Sequence, residues 1–137
     1  MALVIDASVV IDLVLDAPIY ARSIIRRLER REALAAPYLL DAEVAQGLRN
    51  NLLRGRLTQA DAHYRLERFL QIEIERYPHH PLIPRAFQLR DNATVYDGLY
   101  LALAEALDAP LLTRDAALAR VPGVMATVEV ISGNGAA

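Results

Sequence analysis

Four acids lie far apart along the chain, each at a place where a carboxylate can do chemistry. Asp6 directly follows the apolar run Leu3-Val4-Ile5, Glu43 lies shortly after Pro37, Asp97 comes three residues after Thr94, and Asp115 comes two after Thr113. An unpaired carboxylate buried among apolar groups is costly unless it is driven neutral or given something positive to hold. Each acid alone has an ordinary structural reading. Asp6 or Ser8 can start a helix, Asp115 can cap Ala116 to Arg120, Thr94 and Asp97 have capping-box spacing, and the dipole of a helix start favours Glu43. Four acids brought to one edge of one sheet would instead repel one another without a counter-charge. Clustered carboxylates bind hard divalent cations such as Mg²⁺ or Mn²⁺. Zinc fits less well, because the chain has no Cys and His63, His79 and His80 lack ligand spacing.

The pattern around these acids predicts what would position them. Ala2–Ile5 reads as a short buried strand and Val9–Leu15 as a helix capped by Ser8. Pro18 opens a second helix reaching about Arg31, and Ala33–Ala36 is a second strand. Leu40, Val44, Leu48 and Leu52 stack at i+4 spacing on a helix from Leu39 to about Leu53, ended by Gly55. Thr58 and Asp61 form the capping box of the next helix, to about Leu70. Alternation from Ile72 to Glu75 suggests a strand ending before Pro78, and a helix follows near Leu82–Arg90. Val95–Leu107 is the strongest helix, apolar nearly all round. Pro110–Thr113 and Val124–Ile131 read as the last two strands. Short apolar strands alternating with helices argue for an α/β fold, a parallel sheet covered on both faces. In such sheets chemistry collects beyond the carboxyl ends of the strands. Asp6 and Asp115 fall at strand ends, and Glu43 and Asp97 at helix starts facing the same edge.

Composition narrows the classes. At 137 residues, with 54% apolar and 23% charged residues, one globular domain over residues 1–132 is expected, with 133–137 as a disordered tail. No apolar run is long enough for a membrane span, and no basic stretch precedes the first apolar run, so a cytoplasmic protein is expected. A net charge of −2 gives no overall basic footprint. All 15 basic residues are Arg. The absence of Lys excludes a P-loop, a Schiff base and the phosphate-binding Lys of receiver domains and related phosphatases.

The segments VIDASVV, PYLLDAEVAQGLR, YDGLYLALAEAL and LLTRDAALA, in this order, closely resemble the PIN-domain ribonucleases, and in particular VapC-type toxins of toxin–antitoxin pairs. The resemblance spans essentially the whole chain. It implies a parallel sheet of about five strands and a metal site formed by Asp6, Glu43, Asp97 and Asp115. Ser8 and Thr113 would orient these acids or a bound water. It further implies hydrolysis of RNA phosphodiester bonds with one or two Mg²⁺ or Mn²⁺ ions, which would acidify a water and neutralise charge on the phosphate. A cognate antitoxin and a homodimer are the implied partners, with no membrane. One departure is visible: the family's usual Gly after the long helix is replaced by Asp108-Ala109.

Among the remaining residues, Arg49, Arg54, Arg56 and Arg114 are expected to contact substrate, and Tyr96 or Tyr100 to stack a base or to pack. Asp12 reads as a solvated or Arg-paired structural acid, and Asp41 as a cap for the Glu43 helix. The apolar surplus of the long helix (Leu99, Leu101, Leu103, Leu107) suggests that part of it and neighbouring helices form a homodimer interface, and a second apolar groove would receive the antitoxin. The alternative to an enzyme is a catalytically silent PIN module kept for binding a protein partner. The presence of all four acids speaks against it.

Overall fold

The computed structural model describes residues 1–133. Five parallel strands, β1 (Ala2–Ile5), β2 (Ala33–Pro37), β3 (Glu75–Tyr77), β4 (Leu111–Thr113) and β5 (Val128–Val130), form one sheet in the order β3-β2-β1-β4-β5. Leu3, Val4 and Ile5 are buried in succession, so both faces of the central strand are covered, as the unbroken apolar run requires. Six α-helices do the covering: α1 (Ala7–Val14), α2 (Ala21–Leu28), α3 (Leu39–Leu53), α4 (Gln59–Gln71), α5 (Ile83–Gln88) and α6 (Val95–Leu107). The first four pack on one another, while α5 and α6 form a separate pair with α6 against β1, β2 and β4.

Several element limits follow the sequence reading residue for residue, among them β1, α3 and α6. Others differ for identifiable reasons. Helix α1 starts two residues earlier than expected, capped by Asp6 rather than Ser8, because the Asp6 carboxylate accepts from the Val9 N–H. Pro18 does not open α2. The chain makes a turn there, with Asp16 in the left-handed region (φ 52°), and the helix begins at Ala21. Strand β3 lies later than the Ile72–Glu75 alternation, since Ile72 is the C-cap of α4 and pairing with β2 begins at Glu75. Strand β5 is shorter than Val124–Ile131 because Met125 is held at α6, its N–H donating to Glu105 Oε2 at 2.8 Å.

Most of the apolar surface of α6 is used inside the chain. Leu99, Leu101 and Leu103 are buried between α5 and the sheet, and Leu107 is left partly exposed. Asp108 takes the left-handed C-cap position of α6 (φ 49°, ψ 48°), which a Gly would ordinarily fill and which Asp tolerates better than most residues. The expected tail begins with a packed residue. A Cβ on Gly133 would meet Ile19 Cγ2 at 3.0 Å and the Tyr20 ring at 3.2 Å. Residues 134–137 lie outside the described residues.

Candidate active site

Strand order reverses beside β1. The chain moves outward from β1 to β2 and β3, then returns to place β4 on the other side. The carboxyl ends of β1 and β4 therefore flank the crevice where open parallel sheets place ligands. Asp6 follows the first of these strands and Asp115 lies two residues past the second. Glu43 sits near the start of α3, which leaves β2, and Asp97 sits in the first turn of α6.

Asp6 is buried and held by three donors. Ser8 Oγ donates to Oδ1 at 2.6 Å, the Val9 N–H donates to the same oxygen at 3.2 Å, and the Thr113 hydroxyl donates to Oδ2. Thr113 Oγ1 in turn accepts the Asp115 N–H at 3.0 Å, and Ser8 Oγ accepts the Arg114 N–H at 3.1 Å. Ser8 and Thr113 thus dock the turn after β4 onto the start of α1. Asp115 caps the following 3₁₀ turn, its Oδ1 accepting from Ala117 N–H at 2.9 Å.

Glu43 accepts a 2.7 Å hydrogen bond from the hydroxyl of Tyr100, which is itself fully buried on α6. Tyr100 is a site-supporting residue that sequence reasoning left between stacking and packing. Its position one turn after Asp97 was the signal available. The start of α3 has no side-chain cap of its own; His79 Nε2 accepts the Leu39 N–H at 2.8 Å instead. Asp41 is not a cap. It pairs with Arg76 on β3 at 2.8 Å and so fastens α3 to the sheet edge.

Electrostatics tie the acids into one group. Burial raises the Asp6 carboxyl above its ordinary value of 3.8, opposed by the Ser8, Thr113 and Val9 hydrogen bonds, and the charge of Asp97 raises it further. Burial likewise raises Glu43, Tyr100 opposes, and Asp97 and Asp6 add repulsion. Asp97 is raised by burial, opposed by Thr94, and raised again by Asp115. Among the described residues, the influences opposing these three shifts are hydroxyls and a backbone N–H rather than a guanidinium. All-oxygen donors suit a hard divalent ion. Among the described residues no three acids or histidines are grouped tightly enough to grip one ion directly. Mg²⁺ in general keeps several waters and takes only one or two carboxylates directly.

The arginines expected to contact substrate are spread over three places. Arg49 lines an apolar groove between α3 and α4, and Arg54 caps α3 eleven residues from Glu43, about 16 Å along the helix. Arg56 is exposed in the turn beyond it. The guanidinium of Arg114 is turned to Asp12, with Nη1 2.6 Å from Oδ2, and lies over the Tyr20 ring at 3.5 Å. Asp12 is thus the Arg-paired acid expected, and buried rather than solvated.

The chain matches the PIN domain over residues 3–124. It is 42% identical over 130 residues to Ribonuclease VapC1 of Mycobacterium tuberculosis, covering 93% of this chain and 96% of the relative. It is 38% identical over 130 residues to Ribonuclease VapC12 of the same organism, covering 95% and 99%. Its fold superimposes on the crystal structure of VapBC2 from Rickettsia felis bound to a promoter DNA fragment with a TM-score of 0.68, at 16% identity, covering 96% of this chain and all of that one. The five-stranded parallel sheet with an acid after each of β1 and β4 is, on these likenesses, that of the PIN-domain family, and the chain belongs to it among the VapC ribonucleases.

Proposed function

We infer that this chain is the endoribonuclease toxin of a toxin–antitoxin pair and that it cleaves RNA with Mg²⁺ or Mn²⁺ held at Asp6, Glu43, Asp97 and Asp115. The observation that carries the reading is the placement of these acids, drawn from four separate elements, beyond the carboxyl ends of the strands at the point where strand order reverses. A bound divalent ion supplies an acidified water and charge neutralisation at the phosphate. The chain's own residues do the rest. Ser8 and Thr113 hold the Asp6 carboxylate by both oxygens, and Tyr100 holds Glu43. Tyr96, exposed beside Asp97, offers a ring on which an unpaired base can stack.

The antitoxin reading rests on a groove of ≈ 410 Å³ between α3 and α4, lined by Leu48, Leu52, Ala62 and Leu66 with Arg49 and His63. Its chemistry suits an amphipathic segment with apolar anchors. For the homodimer, the support lies on α5, where Ile83 and Phe87 stand one turn apart and exposed. A clean monomer by light scattering at micromolar concentration would remove the homodimer.

The deciding experiment is cleavage of cellular RNA by purified, antitoxin-free protein with Mg²⁺, with Mn²⁺ and with EDTA, alongside Asp97→Asn. Cutting that needs metal and is lost in the variant supports the four-acid nuclease. If folded protein cuts no RNA with either metal, either the target is narrow and missing from the RNA supplied or the chain is a binding module.

A further inference from the structure

We propose that Asp12, Arg114 and Tyr20 form a brace that positions Asp115 and Thr113 at the acidic edge; the proposal rests on the four-acid reading above. Arg114 lies between these two residues in the turn after β4, so fixing its side chain fixes the backbone that carries both. Its guanidinium contacts Asp12 Oδ2 at 2.6 Å, more than one helical turn along α1 from Asp6, and stacks on Tyr20 at the start of α2. The turn is thus held at two levels. Ser8 and Thr113 dock its backbone at the start of α1, and the brace docks its side chain further along the same helix. Tyr20 is backed by Gly133, where a Cβ would lie 3.2 Å from the ring.

Stability alone does not account for this arrangement. Asp12 is the one charged residue among the buried positions of α1, the others being Ala7, Val9, Val10 and Val14. A buried ion pair is often no better for stability than apolar packing of the same volume. The contact is also imperfectly aligned, since neither Asp12 Oδ2 nor Arg114 Nε has a hydrogen bond of good geometry. What the pair supplies is registry: a charge on α1 that accepts one position of the turn. Arg suits it better than Lys because only a planar guanidinium can pair and stack at once. These are positioning residues, acting through Thr113 and Asp115.

The test measures Mn²⁺ binding by electron paramagnetic resonance, together with amide hydrogen exchange of metal-free protein, well below the melting temperature. Asp12→Asn is expected to weaken Mn²⁺ binding about ten-fold, as loss of an outer-shell partner typically does. Exchange at the Arg114 and Asp115 amides should quicken. Arg114→Lys should fall between it and wild type, and Tyr20→Leu, which keeps the ion pair, should show a smaller loss. Glu105→Gln breaks the Arg85 ion pair elsewhere on α6 and should leave Mn²⁺ affinity unchanged. Wild-type affinity and exchange in folded Asp12→Asn overturn the brace, as does an equal loss in Glu105→Gln. If Asp12→Asn does not fold, Arg114→Lys and Tyr20→Leu decide by the same criteria. Wild-type protein that binds no Mn²⁺, or Asp97→Asn that binds it normally, overturns the four-acid reading and the brace's role with it.

Discussion

The hydroxyl of Tyr100 donates to Glu43 Oε1 at 2.7 Å, linking α6 to α3 across 57 residues of chain. Tyr100 is buried, and its own proton is held far more tightly than in water by burial and by the Glu43 carboxylate. The hydroxyl therefore remains a donor throughout the working pH range, favouring the charged form of Glu43 against burial and the repulsion of Asp97 and Asp6.

Tyr100→Phe removes that donor and keeps the ring. Glu43, already raised, should rise further, so the acidic limb of the rate profile moves to higher pH. Activity near pH 6 should fall by more than activity near pH 8, while stability drops by about 1 kcal/mol for one lost hydrogen bond. Rate profiles of the two proteins in Mn²⁺ check this, and superimposable profiles would show that Tyr100 only packs.

The same carboxyls govern stability against pH. Asp6, Glu43 and Asp97 are raised above 3.8, 4.5 and 3.8, and Asp12 is raised by burial against the opposition of Arg114. A carboxyl raised on folding binds more protons in the folded state, so metal-free protein should gain stability as pH falls from neutral toward about 4.5. Below that, Glu105 and Glu129 act in the opposite sense. Hydrogen bonds from Arg85 and Arg27 hold them below 4.5, and their protonation removes stability. Melting in EDTA should peak at mildly acidic pH. Mn²⁺ at neutral pH should raise the melting temperature of wild type and have little effect on Asp97→Asn. A melting temperature in EDTA that climbs steadily from about pH 5 to pH 8 would contradict the repulsion.

Gly98 sets how closely α6 approaches α5. A Cβ there would meet the Ala86 carbonyl oxygen at 3.0 Å and Ala86 Cβ at 3.1 Å, with both residues buried. Gly98→Ala gains helix propensity of about 1 kcal/mol but overpacks a tight contact at a cost of about 1–3 kcal/mol. A net loss of about 1 kcal/mol in urea unfolding is expected. RNA cleavage should fall with it, because Asp97 is the adjoining residue. An unchanged or higher midpoint would mean that the helices part without cost.

How much of this was legible in the sequence depended on whether the information was local. Apolar periodicity delimits α6 at Val95 and Leu107, and the Thr58–Asp61 spacing yields the capping box found. Cap ownership was harder. VIDAS offers both Asp6 and Ser8, and what decides is that Ser8 and Thr113 both turn their protons to Asp6, the second from 107 residues away. The four acids were visible because each marks a strand end or a helix start. Their supports were not, since Tyr100–Glu43, His79–Leu39 and Arg114–Asp12 are pairings between distant segments that leave no periodic trace. Arg114 shows the limit most plainly: adjacency to Asp115 suggested a substrate contact, and the side chain points to α1.

The apolar groove between α3 and α4 allows catalysis to be separated from inhibition. Ala62 lies in its wall on α4, while the acids are carried by other elements. Ala62→Arg puts a long charged side chain where an apolar anchor of the antitoxin would seat, at little cost to a partly exposed helix position. Binding of a cognate antitoxin segment should weaken by about 2 kcal/mol or more, the scale of a lost central anchor. RNA cleavage without antitoxin should match wild type, so the variant cuts in the presence of antitoxin at concentrations that silence the unaltered protein. Titrating antitoxin into both proteins and following cleavage reads the two properties together. Inhibition at the same antitoxin concentration in both would move the docking site away from this groove, and loss of cleavage in the variant alone would couple α4 to the acids.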